Sequence, residues 1–118
     1  MGHGAELNNE AQTHMTGTWV TAAKASEITV GQFKPVDVNG KQLLICHVTQ
    51  DEFTAIDDTC THDDGPLADG WLEGTAIECP RHGARFDVRT GKVLSLPAAV
   101  PINAYPVKVE GDDVKVSV

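Results

Sequence analysis

The sequence predicts an all-β domain, and three observations lead there. No stretch repeats its apolar residues with a convincing helical period. Asn39-Gly40 stands between two β-rich runs, a strong short-range signal for a hairpin. The C-terminal runs, Tyr105 to Glu110 and Val114 to Val118, alternate apolar with polar residues around Gly111-Asp112-Asp113. That is the pattern of a closing hairpin with one covered face.

Length and charge narrow the class further. At 118 residues the chain makes one domain with a modest core. Nine basic and seventeen acidic residues give a formal charge of −8. That balance argues against nucleic acid or an anionic membrane as partner, since both call for basic patches. It suits docking onto a basic protein face, with charge steering the encounter. No apolar run approaches a membrane span, and the first sixteen residues lack a basic start and apolar core. With three cysteines, two of them assigned below to a metal site, no intramolecular disulfide remains to be made. A reducing, cytoplasmic setting is therefore expected.

Taken in order, residues 1–17 show no period and are expected to form a flexible tail, with His3 and His14 solvated. One domain is expected over 18–118. Trp19 to Ala22 is expected to be a first strand and Ser26 to Ile28 a short second one. Gln32 to Val38 and Lys41 to Thr49 form the hairpin arms. Leu43-Leu44-Ile45-Cys46-His47-Val48 is apolar almost throughout, so this strand should be buried on both faces. Cys46 then packs as a small hydrophobe, and His47 falls on the opposite face, which makes the two poor joint ligands. Gln50 to Glu52 turns into a strand at Phe53 to Asp57. Thr75 to Glu78 and Ala84 to Asp87 are strands, the first of which delivers Cys79. Arg89 to Gly91 turns into Lys92 to Leu94, and Leu96 to Pro101 returns to the main body.

The chemistry lies between Cys60 and His82. Cys60-Thr61-His62 is followed by residues 63 to 78 and then Cys79-Pro80-Arg81-His82. Thiolates and imidazoles bind soft and borderline transition metals. A single zinc ion can use four such ligands, although zinc fingers usually pair like with like. A Cys/His split in both pairs suits a site with two different irons. Cys60 and Cys79 would then hold one iron, and His62 and His82 the other.

The surrounding motifs resemble the Rieske family. Cys60-Thr-His-Asp-Asp-Gly-Pro-Leu-Ala-Asp-Gly70 is similar to its first cluster loop, and Cys79-Pro-Arg-His-Gly-Ala-Arg-Phe-Asp87 to its second. Thr90-Gly91 and Leu96-Pro97-Ala98 resemble its trailing turn and proline segment. The resemblance implies a Rieske fold, an antiparallel β-sandwich with a cluster-binding subdomain inserted near 57–98. It also implies one Rieske-type [2Fe-2S] cluster as cofactor.

Further expectations follow from that resemblance. High-potential members carry an extra disulfide between the loops; here Gly65 or its neighbour and Arg81 stand in those places. Such members also use a Ser and a Tyr to donate hydrogen bonds to cluster sulfur, where this chain has Ala84 and Phe86. A low potential is therefore expected, with Asp63 and Asp64 pushing the same way and the charge of Arg81 screened by water. Leu67, Trp71 and Phe86 are candidates to shield the cluster. A short, low-potential member without a membrane helix resembles the ferredoxin component of bacterial aromatic-ring-hydroxylating dioxygenase systems. It would be a monomeric electron carrier between a flavin reductase and a terminal oxygenase, with no catalytic residues of its own. The alternatives are a Rieske ferredoxin of iron–sulfur cluster assembly, a nitrite reductase small subunit, and a structural zinc module.

Overall fold

The computed structural model describes residues 18–61, 63–81, 83–96 and 100–118. The expected tail at 1–17, with His3 and His14, lies outside the described residues, as do His62, His82 and residues 97–99.

The strands are Trp19–Lys24 (β1), Phe33–Val38 (β2), Lys41–Thr49 (β3), Glu52–Asp57 (β4), Trp71–Glu73 (β5), Ala76–Glu78 (β6), Arg85–Asp87 (β7), Val93–Ser95 (β8), Ala104–Tyr105 (β9), Val107–Glu110 (β10) and Asp113–Ser117 (β11). Among the described residues they form three antiparallel sheets, ordered β1-β11-β10, β2-β3-β4-β9 and β5-β6-β7-β8. The β2–β3 hairpin turns at Asn39 and Gly40, whose φ values of 53° and 88° are left-handed. Such a turn matches the twist of the flanking strands, and the Asp37 carboxylate accepts the Gly40 N–H at 3.0 Å to close it.

The β3 strand explains how the layers stack. Side chains alternate across a strand, so Leu43 and Ile45 face one way and Leu44 and Cys46 the other; all four are fully buried. Leu43 and Ile45 pack with Ala23, Val38, Ala55, Val114 and Val116, which joins the first sheet to the second as a sandwich. Leu44 and Cys46 pack with Ile56 and with Leu67, Ile77 and Phe86 of the inserted segment. The second sheet is thus a middle layer with a core on each face. Each such aliphatic side chain contributes about 1.5–3 kcal/mol on burial. Burial also pushes the Cys46 thiol up to about 12, which keeps it protonated and inert. His47 lies across the strand from Cys46, stacked on Phe53 with ring centroids 3.9 Å apart, and its Nδ1 meets the Ile28 carbonyl at 2.7 Å.

One local expectation needs correction. Ser26 to Ile28 is not a strand: Ala25–Glu27 forms a 3-10 turn. The Asp112 carboxylate accepts both the Ser26 N–H and the Ser26 hydroxyl, at 2.9 and 2.8 Å, and this tertiary pairing overrides local β preference. Trp71–Glu73 is a further strand beyond those expected, because pairing with β6 supplies its backbone partners.

The insert between β4 and β9 is fastened to the sandwich at both ends. At its neck, the Tyr105 hydroxyl donates to Asp57 at 2.6 Å, and Asp57 and Asn103 exchange hydrogen bonds through the Asp57 N–H and carboxylate. Farther out, Arg89 grips Glu52 through two nitrogens at 2.8 and 2.7 Å. The Arg89 hydrogen bonds hold the Glu52 carboxyl below its ordinary value. A depressed folded-state pKa gives stability that is present above the unfolded value, near 4.5, and lost as pH falls through the folded value. Glu52→Gln is therefore expected to lower the denaturation midpoint at pH 7, with the deficit shrinking at a second, acid pH as Glu52 of the parent itself becomes neutral. Paired urea melts at the two pH values check this, and an equal deficit at both would show that the ion pair contributes nothing.

Candidate metal centre

Two loops at one end of the insert carry the sulfur ligands, and both are closed in the same way. In the first, the Cys60 N–H donates to the Gly65 carbonyl at 2.8 Å and the Cys60 carbonyl accepts the Asp64 N–H at 2.7 Å. In the second, the Cys79 N–H donates to the Ala84 carbonyl at 2.8 Å and the Cys79 carbonyl accepts the Gly83 N–H at 3.0 Å. The residue four positions after each Cys is left-handed, Asp64 at φ 61° and Gly83 at φ 77°. Gly and Asp are among the residues that tolerate this conformation, which is why the turns can close there.

These closures place Cys60 and Cys79 side by side. Both are fully buried, and their sulfurs and a carboxylate oxygen of Asp63 all lie within 4.8 Å of one another. The wall behind them is Leu67, Ile77, Ala84, Phe86 and Val88, all fully buried. Two convergent soft sulfurs in an apolar wall fit an iron–sulfur group. None of the wall side chains has an N–H or O–H to donate. Two hydroxyls of the insert bond to backbone carbonyls, Thr61 to Val100 at 2.5 Å and Ser95 to Gly83 at 3.4 Å.

Three charged residues link the two loops. Arg81 reaches across from the second loop to the first. Its Nε donates to Asp63 at 2.6 Å, Nη1 to Asp69 at 3.3 Å and Nη2 to the Pro66 carbonyl at 3.1 Å. Arg81 and the Gly65 N–H, in that order, hold the Asp63 carboxyl down at about 2. The charge of Arg81 is therefore met by a carboxylate and not simply screened by water, which corrects the sequence expectation. Trp71 is 49% exposed on edge strand β5, whereas Leu67 and Phe86 are fully buried in the same core as the two cysteines. The roles of Arg81, Asp63 and Asp69 as a bridge between the loops were not foreseen, although an Arg between two ligand positions opposite an Asp-rich loop was a visible hint.

Residues 18–106 match the family described as Rieske [2Fe-2S] domain. The chain belongs to this family. Among relatives of this Rieske chain is the ferredoxin component of the naphthalene 1,2-dioxygenase system of Pseudomonas putida. It is 46% identical over 96 residues, covering 81% of this chain and 91% of that one. The ferredoxin of carbazole 1,9a-dioxygenase from Nocardioides aromaticivorans IC177 superposes with a TM-score of 0.80 at 35% identity, covering 84% and 96%. The ferredoxin in a complex of reduced oxygenase and oxidized ferredoxin of carbazole 1,9a-dioxygenase gives 0.78 at 38% identity, covering 84% and 92%. The cofactor of the Rieske chain is one [2Fe-2S] cluster.

Proposed function

We propose that this Rieske protein is the ferredoxin component of an aromatic-ring dioxygenase system, a one-electron carrier that receives electrons from a flavin reductase and delivers them to a terminal oxygenase. The observation that carries this reading is the pair of matched loops that bury Cys60 and Cys79 together at one end of a small β domain. The sequence likeness to dioxygenase ferredoxins over nearly their full length supports the partner class. Cys60 and Cys79 would hold one iron, and His62 and His82 the other. When bound, the cluster takes up and releases a single electron.

The residues of the chain supply the environment. Leu67, Ala84, Phe86 and Val88 exclude water from the inner side of the sulfur pair. Ala84 and Phe86 offer no side-chain hydrogen bond to sulfur, and the Thr61 hydroxyl is held by Val100. Fewer donors at sulfur favour the oxidised state, so the potential is low. The domain is 18–118, monomeric and cytoplasmic. No helix among the described residues is long and apolar enough to cross a membrane. The protein carries electrons and performs no bond chemistry on a substrate.

A redox titration of the purified coloured protein, followed by EPR at several pH values, tests the reading. A Rieske signal is expected, with a midpoint near the low end of the class range of roughly −150 to +300 mV and nearly constant around neutral pH. A strongly positive midpoint would overturn the account of Ala84 and Phe86. A redox-silent protein that holds zinc when made with ample iron would overturn the function itself.

A further inference from the structure

We propose that Arg81 and Asp63 form a charge-neutral latch that both locks the two cluster loops together and sets the working potential of the centre. The inference rests on the reading above that the Cys60–Cys79 pocket holds a Rieske cluster.

The geometry makes Arg81 a bridge and not a surface decoration. It belongs to the second loop, yet its three hydrogen-bond acceptors, on Asp63, Pro66 and Asp69, all belong to the first-loop segment. The Arg81 side chain is 30% exposed and that of Asp63 only 19%, so solvent covers the pair less than an ordinary surface ion pair. The planar fork of a guanidinium can meet three separate acceptors at once; the point charge of an ammonium cannot hold that geometry. Gly65 makes room for it. A Cβ at Gly65 would stand 2.6 Å from Arg81 Cζ and Nη2, so the guanidinium lies directly against the first-loop backbone.

The same pair sits where its charges matter. Asp63 Oδ2 is 4.0 Å from Cys79 Sγ and 2.6 Å from Arg81 Nε. An unpaired carboxylate at that distance opposes the arrival of an electron and lowers the potential, while an unpaired guanidinium favours it and raises the potential. Held together, the two nearly cancel. Asp63 is a positioning residue as well, since its other oxygen accepts the Gly65 N–H at 2.9 Å and shapes the turn that Arg81 covers.

The test compares the parent with Arg81→Gln, Asp63→Asn, the double variant, Arg81→Lys and Gly65→Ala, at one pH and ionic strength. Two quantities are read from the holo-proteins: the midpoint potential, and the rate of cluster bleaching under a strong iron chelator. Arg81→Gln is expected to shift the midpoint negative and Asp63→Asn to shift it positive. The double variant should return closer to the parent than either single change. Bleaching should be about tenfold faster in Arg81→Gln. Arg81→Lys keeps the charge and should hold the potential near the parent while still bleaching faster. Gly65→Ala keeps both charges but displaces the guanidinium, so it too should bleach faster.

Single variants that shift the midpoint in the same direction, or not at all, overturn the charge role. Unchanged bleaching in Arg81→Gln and Gly65→Ala overturns the latch. If Arg81→Gln cannot retain a cluster at all, Asp63→Asn and Gly65→Ala still decide, the first by the sign of its shift and the second by its bleaching rate. A parent without a Rieske signal would defeat the proposed function; a parent with an intact signal and variants indistinguishable from it would defeat only this inference.

Discussion

Replacing Cys79 with Ala is expected to give a folded but colourless protein. The thiol is one of two buried side by side at the loop tip. Without it the remaining thiol, Cys60, cannot complete a bidentate sulfur anchor, and loss of one thiolate ligand from a cluster site is not compensated by neighbouring backbone. The fold should survive because the contacts that shape the second loop come from the backbone. The Cys79 N–H still donates to Ala84 and its carbonyl still accepts from Gly83. Removing a single sulfur atom from the core should cost about 1–2 kcal/mol, by analogy with other small truncations of buried side chains. Iron content and visible absorbance check the first part, and circular dichroism during thermal melting checks the second. Cys46→Ala serves as the comparison. It removes a thiol from the same core, yet Cys46 sits on β3 within the middle sheet and should leave the colour intact. A Cys79→Ala protein that retains full Rieske absorbance would remove Cys79 from the ligand set.

Gly70→Ala is expected to damage the centre without touching a ligand. A Cβ at Gly70 would stand 1.8 Å from the Glu78 carbonyl oxygen and 3.2 Å from Pro80 Cδ. The backbone there has φ −95°, which any residue adopts, so the penalty is steric and not conformational. The obstructing atom belongs to the main chain of β6, one residue before Cys79, and cannot rotate away as a side-chain end can. Relief requires the segment leading into β5 to move off β6, and with it the first loop from the second. Overpacking of this kind costs about 1–3 kcal/mol, and more where backbone must shift. For a domain of this size, each kcal/mol corresponds to a drop of about 4–8 °C in Tm. The measurement is Tm together with iron occupancy after purification, both expected to fall. A Gly70→Ala protein that melts with the parent and carries a full complement of iron would show that the close approach at Glu78 relaxes without consequence.

The parts of the molecule legible from sequence were those whose cause is local. Cys60 and His62, and Cys79 and His82, stand within three residues of each other, and their donor chemistry is a property of side-chain type. Asn39-Gly40 closes its hairpin through two left-handed residues, a preference carried by those residues themselves. The apolar run of β3 reports burial on both faces directly, and the structure buries Leu43 through Cys46 completely. The cluster-binding insertion near 57–98 is implied by the resemblance of the two loops to the Rieske family, and the strand and turn signals alone do not give it.

What only the tertiary structure decided depends on residues brought together from far apart. Arg81 finds its acceptors 12 to 18 positions away, and which carboxylate it meets is settled by how two loops fold back on each other. In the sequence Gly65 stands at or beside the place of an extra cysteine and Gly70 closes the first loop motif, yet in the fold one makes room for a guanidinium and the other for a carbonyl. Ser26 to Ile28 reads as a strand until Asp112, 86 residues from Ser26, claims its polar groups. Ligand type and turn preference act over a few bonds, so one chain displays them. Cross-loop ion pairing and steric clearance act through space, and they exist only once the sheets have set which distant residues meet.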